Sequence, residues 1–163
     1  MLQLSGDMNY RIDQRRDNVI ASVKAGELDY LLQHDQLNKE RKTNPGFRLR
    51  SFREAPITFA PTYKYDRRSN EFDTSEKRRV PAWCDRILYR CRDPERVECL
   101  HYRRYEANIS DHRPISGRFR ITTKLVQPDL REAEKLVVEQ EWRIREQGLL
   151  REAHRFYLKE MRI

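Results

Sequence analysis

Apolar positions in this chain recur at two different periods. Between residues 13 and 40, Val19, Ile20, Val23, Leu28, Leu31 and Leu32 fall at helical spacing, with Gly26 as a break and Asp29 as a candidate cap. The pattern predicts two short helices, ending near Leu37, that cover one face of a sheet. Further on the period shortens to two. Residues 86–90, 97–105 and 116–123 read as strands, the first through Ile87 and Leu88, the second by partial alternation from Val97 to Tyr105, the third through Phe119 and Ile121. Phe47 to Phe52 and Ile57-Thr58-Phe59 predict short strands or extended segments, and residues 66–80 a polar loop. Met1 to Leu4 has strand character and runs straight into Gly6-Asp7, so the chain is expected to start inside a strand. After Pro128 the pattern becomes helical again. Val138, Trp142, Leu149, Ala153 and Phe156 fall near one side of a long amphipathic helix, expected to cover its own domain, to meet a protein partner or to lie on a membrane surface.

Composition narrows the picture. A length of 163 residues suits one domain. Charged residues make up 37% and hydrophobic residues 37%, so the core is small for the length. A formal net charge of +8 favours anionic partners: phosphorylated small molecules, anionic lipid or nucleic acid. Cys84, Cys91 and Cys99 show no CxxC spacing, which argues against a zinc framework and fits a reducing, intracellular setting. No apolar run approaches the roughly 20 residues that span a bilayer.

Chemistry-bearing residues gather in separated clusters. Gly6-Asp7-Met8-Asn9-Tyr10-Arg11 places Asp7 and Asn9 two apart at a strand end, where alternation would aim both side chains the same way. One could take a proton from water while the other donates to a phosphoryl oxygen. Pro81-Ala82-Trp83-Cys84-Asp85-Arg86 sets Asp85 among apolar neighbours, so it needs a partner, either an imidazole or Arg86. Cys84 has no base arrangement of the kind a cysteine nucleophile requires. Ser110-Asp111-His112-Arg113-Pro114 pairs a carboxylate with the side chain best placed to change protonation near neutral pH. Between them, Tyr63, Lys64, Lys77, Arg78 and Arg79 form a basic collection suited to a second phosphate. Metal-assisted phosphate-ester hydrolysis asks for such a set: a water-orienting base, a donor for the developing charge and cations for the substrate.

Together these clusters resemble the inositol polyphosphate 5-phosphatases. Pro81-Ala82-Trp83-Cys84-Asp85-Arg86 and Pro61-Thr62-Tyr63-Lys64-Tyr65-Asp66 match that family's motifs. Ser110-Asp111-His112-Arg113-Pro114 is similar to another, and Met8 replaces Leu in the Gly-Asp-Leu-Asn-Tyr-Arg motif. The resemblance implies an α/β fold, namely the C-terminal half of a two-sheet sandwich of the endonuclease/exonuclease/phosphatase type over residues 1–124, followed by a helical tail over 125–163. It implies magnesium-dependent hydrolysis of the 5-phosphate of phosphoinositides or inositol polyphosphates. By motif, Asp7 would position or deprotonate water, Asn9 would contact the scissile phosphate, and His112 would polarise it, oriented by Asp85. Asp111 would sit beside the metal, Arg11 and Arg86 would support the substrate, and Tyr63, Lys64, Lys77 and Arg79 would hold the 4-phosphate. Implied partners are phosphoinositide head groups at a peripheral, cytoplasmic membrane surface, with no nucleic acid. The family's first half, with its magnesium-binding Glu and a further His, has no counterpart here, so the chain alone is expected to be inactive or nearly so. The alternatives are a non-catalytic phosphoinositide-binding fragment and a nuclease of the same superfamily.

Overall fold

The computed structural model describes residues 1–161. The chain divides into a first unit of residues 1–122 and a second that starts at Thr123.

Three strands form the first sheet: β1 (Leu2–Asp7), β2 (Arg53–Glu54) and β3 (Asp85–Arg90), in the order β1-β3-β2 and antiparallel throughout. The central strand carries the apolar run Ile87-Leu88, and alternation sends its side chains to two cores. Ile87 joins Ile12, Val19, Leu31, Trp83 and Tyr102, while Leu88 joins Leu37 and Phe52. Strand β1 is an edge, and all six of its residues are exposed. A separate two-stranded sheet pairs β4 (Val97–Arg104) with β5 (Ile115–Ile121).

Three short helices pack beside the first sheet, where the apolar period predicts two. They are α1 (Arg16–Ala25), α2 (Leu28–Gln33) and α3 (Gln36–Thr43). The predicted break is real: Gly26 ends α1 at φ 75°, a left-handed conformation that glycine adopts without a Cβ penalty. The predicted cap is displaced. Asp29 lies inside α2, and the carboxylate that caps a helix is Asp35, which accepts the Asn38 N–H at 3.0 Å at the start of α3. Two extended segments also resolve differently. Residues 48–51 form a 3-10 turn before β2, and Ile57-Thr58-Phe59 stays outside both sheets, with Ile57 anchoring the loop in the core.

In the second unit, α4 (Pro128–Met161) begins on a proline, whose missing N–H costs nothing at a helix start. Its apolar residues do not keep to one side. Val138, Trp142, Leu149 and Phe156 share one face, but Leu130, Val137, Ile144 and Leu158 recur on another, and all eight are exposed. Leu136, Leu150 and Tyr157 lie outside both groups and are exposed too, so apolar residues are spread round the helix and the amphipathic reading recognised only one group of them.

Candidate active site

Register builds the centre of the site. In the β1–β3 pair Asp7 lies directly opposite Asp85. Two carboxylates so placed repel one another unless a cation or proton donor lies near. The imidazole of His112 occupies that position. Its Nδ1 is 2.9 Å from Asp85 Oδ2, a hydrogen bond, and its Nε2 is 3.9 Å from Asp7 Oδ2, beyond hydrogen-bond range. The Asp85 contact assigns the proton to Nδ1 and leaves Nε2 turned toward Asp7.

Asp85 is itself held. Thr62, fully buried, donates its hydroxyl to Asp85 Oδ2 at 2.7 Å. Backbone bonds fasten the loop that carries it: Thr62 N–H donates to Ala82 O at 3.1 Å, and Arg113 N–H donates to Thr62 O at 2.8 Å. The Tyr63 ring lies 4.6 Å from the His112 ring, and the Arg11 guanidinium lies 4.6 Å from the Tyr63 ring centre. All four sequence clusters thus meet at His112.

Asn9 reaches the same place by a different route from strand alternation. It lies past the end of β1 at φ 56°, a left-handed conformation that Asn tolerates. Its N–H donates to Asp7 Oδ1 at 2.9 Å, closing a tight turn. Arg11 donates to the Asn9 side-chain oxygen. Arginine has no acceptor, so this contact fixes the amide and leaves its NH2 group as a donor.

The basic collection forms a second patch on the same loop. Lys64 Nζ lies 3.3 Å from Asp73 Oδ1, and the Arg79 N–H donates to Asp73 Oδ2 at 2.8 Å. Lys77 and Arg79 are exposed and Lys64 is half-buried. Burial pushes the Asp73 carboxyl up, but hydrogen bonds from Ser75, Arg79 and Lys64 outweigh it and bring it down to about 2.

Arg86 does not face the Asp7–His112–Asp85 group, and the expected substrate contact is corrected to a structural one. It follows Asp85 on a strand, so it points to the opposite face. There it is fully buried, chelating Glu54 at 2.8 and 2.7 Å and reaching both Asp35 oxygens at 2.9 Å. Burial opposes its charge, and the two carboxylates outweigh burial and raise the guanidinium further. Cys84 is buried and its thiol is pushed up to about 12, chiefly by burial, which removes it as a nucleophile at neutral pH.

Asp111 is half-buried. Its backbone oxygen accepts the Tyr65 N–H at 3.0 Å and its carboxylate accepts the Ser110 hydroxyl at 3.3 Å. Among the described residues no three carboxylate, imidazole or thiolate groups converge to hold a metal ion. These residues alone therefore do not fit a closed magnesium cage. No helix among them is long and apolar enough to cross a membrane. A cleft of about 650 Å³ between α1 and residues 70–74, lined by Arg16, Ile20, Lys24 and Phe72 among others, includes none of the Asp7–His112–Asp85 group.

The sequence reading passed over Thr62, Asp73, Asp35 and Glu54. Thr62 lay inside a recognised motif and Asp73 just ahead of a basic run, but neither position announces its partner.

Residues 1–118 match Endonuclease/Exonuclease/phosphatase family 2. A probable inositol polyphosphate 5-phosphatase of Schizosaccharomyces pombe is 49% identical over 139 residues, 85% of this chain and 12% of that protein. The crystal structure of the inositol polyphosphate 5-phosphatase domain of SPsynaptojanin, in complex with inositol (1,4)-bisphosphate and calcium ion, superposes with a TM-score of 0.70 at 38% identity. It covers 90% of this chain, which spans 41% of that one. A Cimex nitrophorin ferrous NO complex superposes with a TM-score of 0.66 at 29% identity, over 75% of this chain and 42% of that one. One backbone thus serves more than one chemistry, and only the side chains can decide between them.

Proposed function

Because the chain belongs to Endonuclease/Exonuclease/phosphatase family 2, in its inositol polyphosphate 5-phosphatase branch, we propose that it carries the phosphate-handling part of a site that hydrolyses the 5-phosphate of phosphoinositides or inositol polyphosphates. One observation carries the reading. His112 is held by Asp85 at 2.9 Å and faces Asp7, and the loop that orients this group also bears the basic patch.

In this reading Asp7 orients the attacking water and receives its proton, because Oδ1 is engaged by the Asn9 N–H and Oδ2 is left toward the imidazole. The free Asn9 amide donates to a scissile phosphoryl oxygen, and His112, fixed by Asp85 and Thr62, polarises the same phosphate when its Nε2 also carries a proton. Tyr63, Lys64, Lys77 and Arg79 hold the neighbouring 4-phosphate. Magnesium would supply charge neutralisation at the phosphoryl oxygens. Asp111 is the ligand assigned to it here, and the remaining ligands would have to come from outside the described residues. The chain alone is therefore expected to bind head groups and to turn them over slowly or not at all. Peripheral attachment to a phosphoinositide-bearing cytoplasmic membrane follows from the substrate class and the +8 charge. A protein partner on α4 belongs to the same reading, on the strength of the exposed apolar residues spread round it.

A second reading, head-group binding without catalysis, is favoured because no three metal-ligating groups converge among the described residues. Both readings predict binding, which separates them from nuclease action. Titrating the chain with inositol 1,4,5-trisphosphate should shift the amide resonances of residues 7–11, 62–65, 77–79 and 110–113 saturably. A DNA oligonucleotide should neither cause those shifts nor compete with them. Scattered, unsaturable shifts, or displacement by DNA, would sink both readings.

A further inference from the structure

We propose that Asp73 is a positioning residue for phosphate recognition, holding Lys64 and the Arg79 backbone on one carboxylate so that they read a phosphate next to the one cleaved. The inference rests on the phosphoinositide reading above and adds the residue that would set its positional selectivity.

Asp73 holds Lys64 at both ends. Its carboxylate faces Lys64 Nζ at 3.3 Å, and its N–H donates to the Lys64 carbonyl at 2.9 Å. The other carboxylate oxygen accepts the Arg79 N–H at 2.8 Å, so residues 64 and 79 share one anchor. The anchor is itself fixed: Arg16 on α1 donates Nη2 to the Asp73 carbonyl at 2.8 Å. The Asp73 side chain is 1% exposed and the Lys64 side chain 23%, so the ammonium leans from the surface onto a buried carboxylate. With its carboxyl drawn down to about 2, Asp73 stays ionised at any physiological pH.

The consequence for binding is specific. A carboxylate beside a lysine cancels much of its attraction for any anion at a distance. It also removes rotamer freedom that the lysine would otherwise lose on binding. Asp73 thereby exchanges general anion affinity for a fixed ammonium position. If it served only to fold the loop, losing its charge would weaken all ligands alike. If it positions the clamp, losing its charge lowers the preference for a ligand carrying the adjacent phosphate, while the shared phosphate binds as before.

The test is calorimetric titration of the full chain with inositol 1,4-bisphosphate and with inositol 1-phosphate, in wild type, Lys64→Ala, Asp73→Asn and Asp73→Glu. The wild type should prefer the bisphosphate, and Lys64→Ala should reduce that preference. Asp73→Asn should cut it by about tenfold, equivalent to ~1.4 kcal/mol, with monophosphate affinity kept or raised. Asp73→Glu should fall between Asp73→Asn and wild type. An unchanged ratio in a folded Asp73→Asn chain, with Lys64→Ala still effective, overturns the inference and leaves the functional reading standing. Equal loss of both ligands in Asp73→Asn also overturns it. No preference in the wild type, or none lost in Lys64→Ala, defeats the reading of the clamp itself. Should Asp73→Asn fail to fold, Asp73→Glu decides: a ratio below wild type supports the assignment, and a wild-type ratio rejects it.

Discussion

Asp73 and Asp85 are single residues whose work lies in what they hold still. Asp85 fixes the His112 ring and is oriented by Thr62 from another loop, and Asp73 fixes the Lys64 ammonium and is oriented by the Arg79 N–H of its own loop. The lowered Asp73 carboxyl has a pH consequence. A folded-state value below the unfolded one, about 3.9, gives stability that is complete above the unfolded value and lost as pH falls through about 2. Urea unfolding of wild type and Asp73→Asn between pH 5 and 2 should show a steeper loss in the wild type over the lower part of that range. Parallel curves would show that Asp73 contributes no linkage. At this scale the sequence is informative but incomplete. Asp85 beside Trp83 and Ile87 plainly needs a partner, and the residues offer both His112 and Arg86. Strand alternation decides for the imidazole, because Asp85 and Arg86 point to opposite faces. Thr62 stays hidden because its partner Asp85 lies far off in sequence, and Asp73 because Lys64 and Arg79, though near in sequence, meet its carboxylate only through the turn of an irregular loop.

Arg86 shows what happens at the scale of elements. One guanidinium joins β3 to Glu54 at the end of β2 and to Asp35 at the start of α3. Removing it would leave two carboxylates beside each other without their counter-charge. The chain with Arg86→Met should lose about 3–5 kcal/mol of unfolding free energy, read from urea midpoints. A loss below about 1 kcal/mol would mean that the network is not structural. The elements themselves were legible where periodicity ran long, as in α1, β3, β4, β5 and α4. They were misread where it was short. Phe47 to Phe52 alternates like a strand but folds into a 3-10 turn, because Phe52 is drawn into the core with Leu37 and Leu88. The third helix escaped notice because it carries a single buried apolar residue, Leu37.

The whole molecule is part of a larger pattern. The chain spans 41% of the solved synaptojanin phosphatase domain and 12% of the fission-yeast relative. The motifs made the fold of the first unit readable, since residues 6–114 hold all four of them in family order. The long helix had no motif to read, and its apolar residues are spread round it instead of gathered on one face. The central claim is that Asp7, Asn9, Asp85 and His112 perform phosphate-ester hydrolysis once the rest of a catalytic domain is present. The direct measurement replaces the part of the SPsynaptojanin domain that aligns with residues 1–118 by those residues of this chain and follows phosphate release from phosphatidylinositol 4,5-bisphosphate with added magnesium. The account predicts release of the 5-phosphate, reduced by at least about 100-fold in the Asp7→Ala chimera. A folded chimera that binds the head group and releases no phosphate would contradict it.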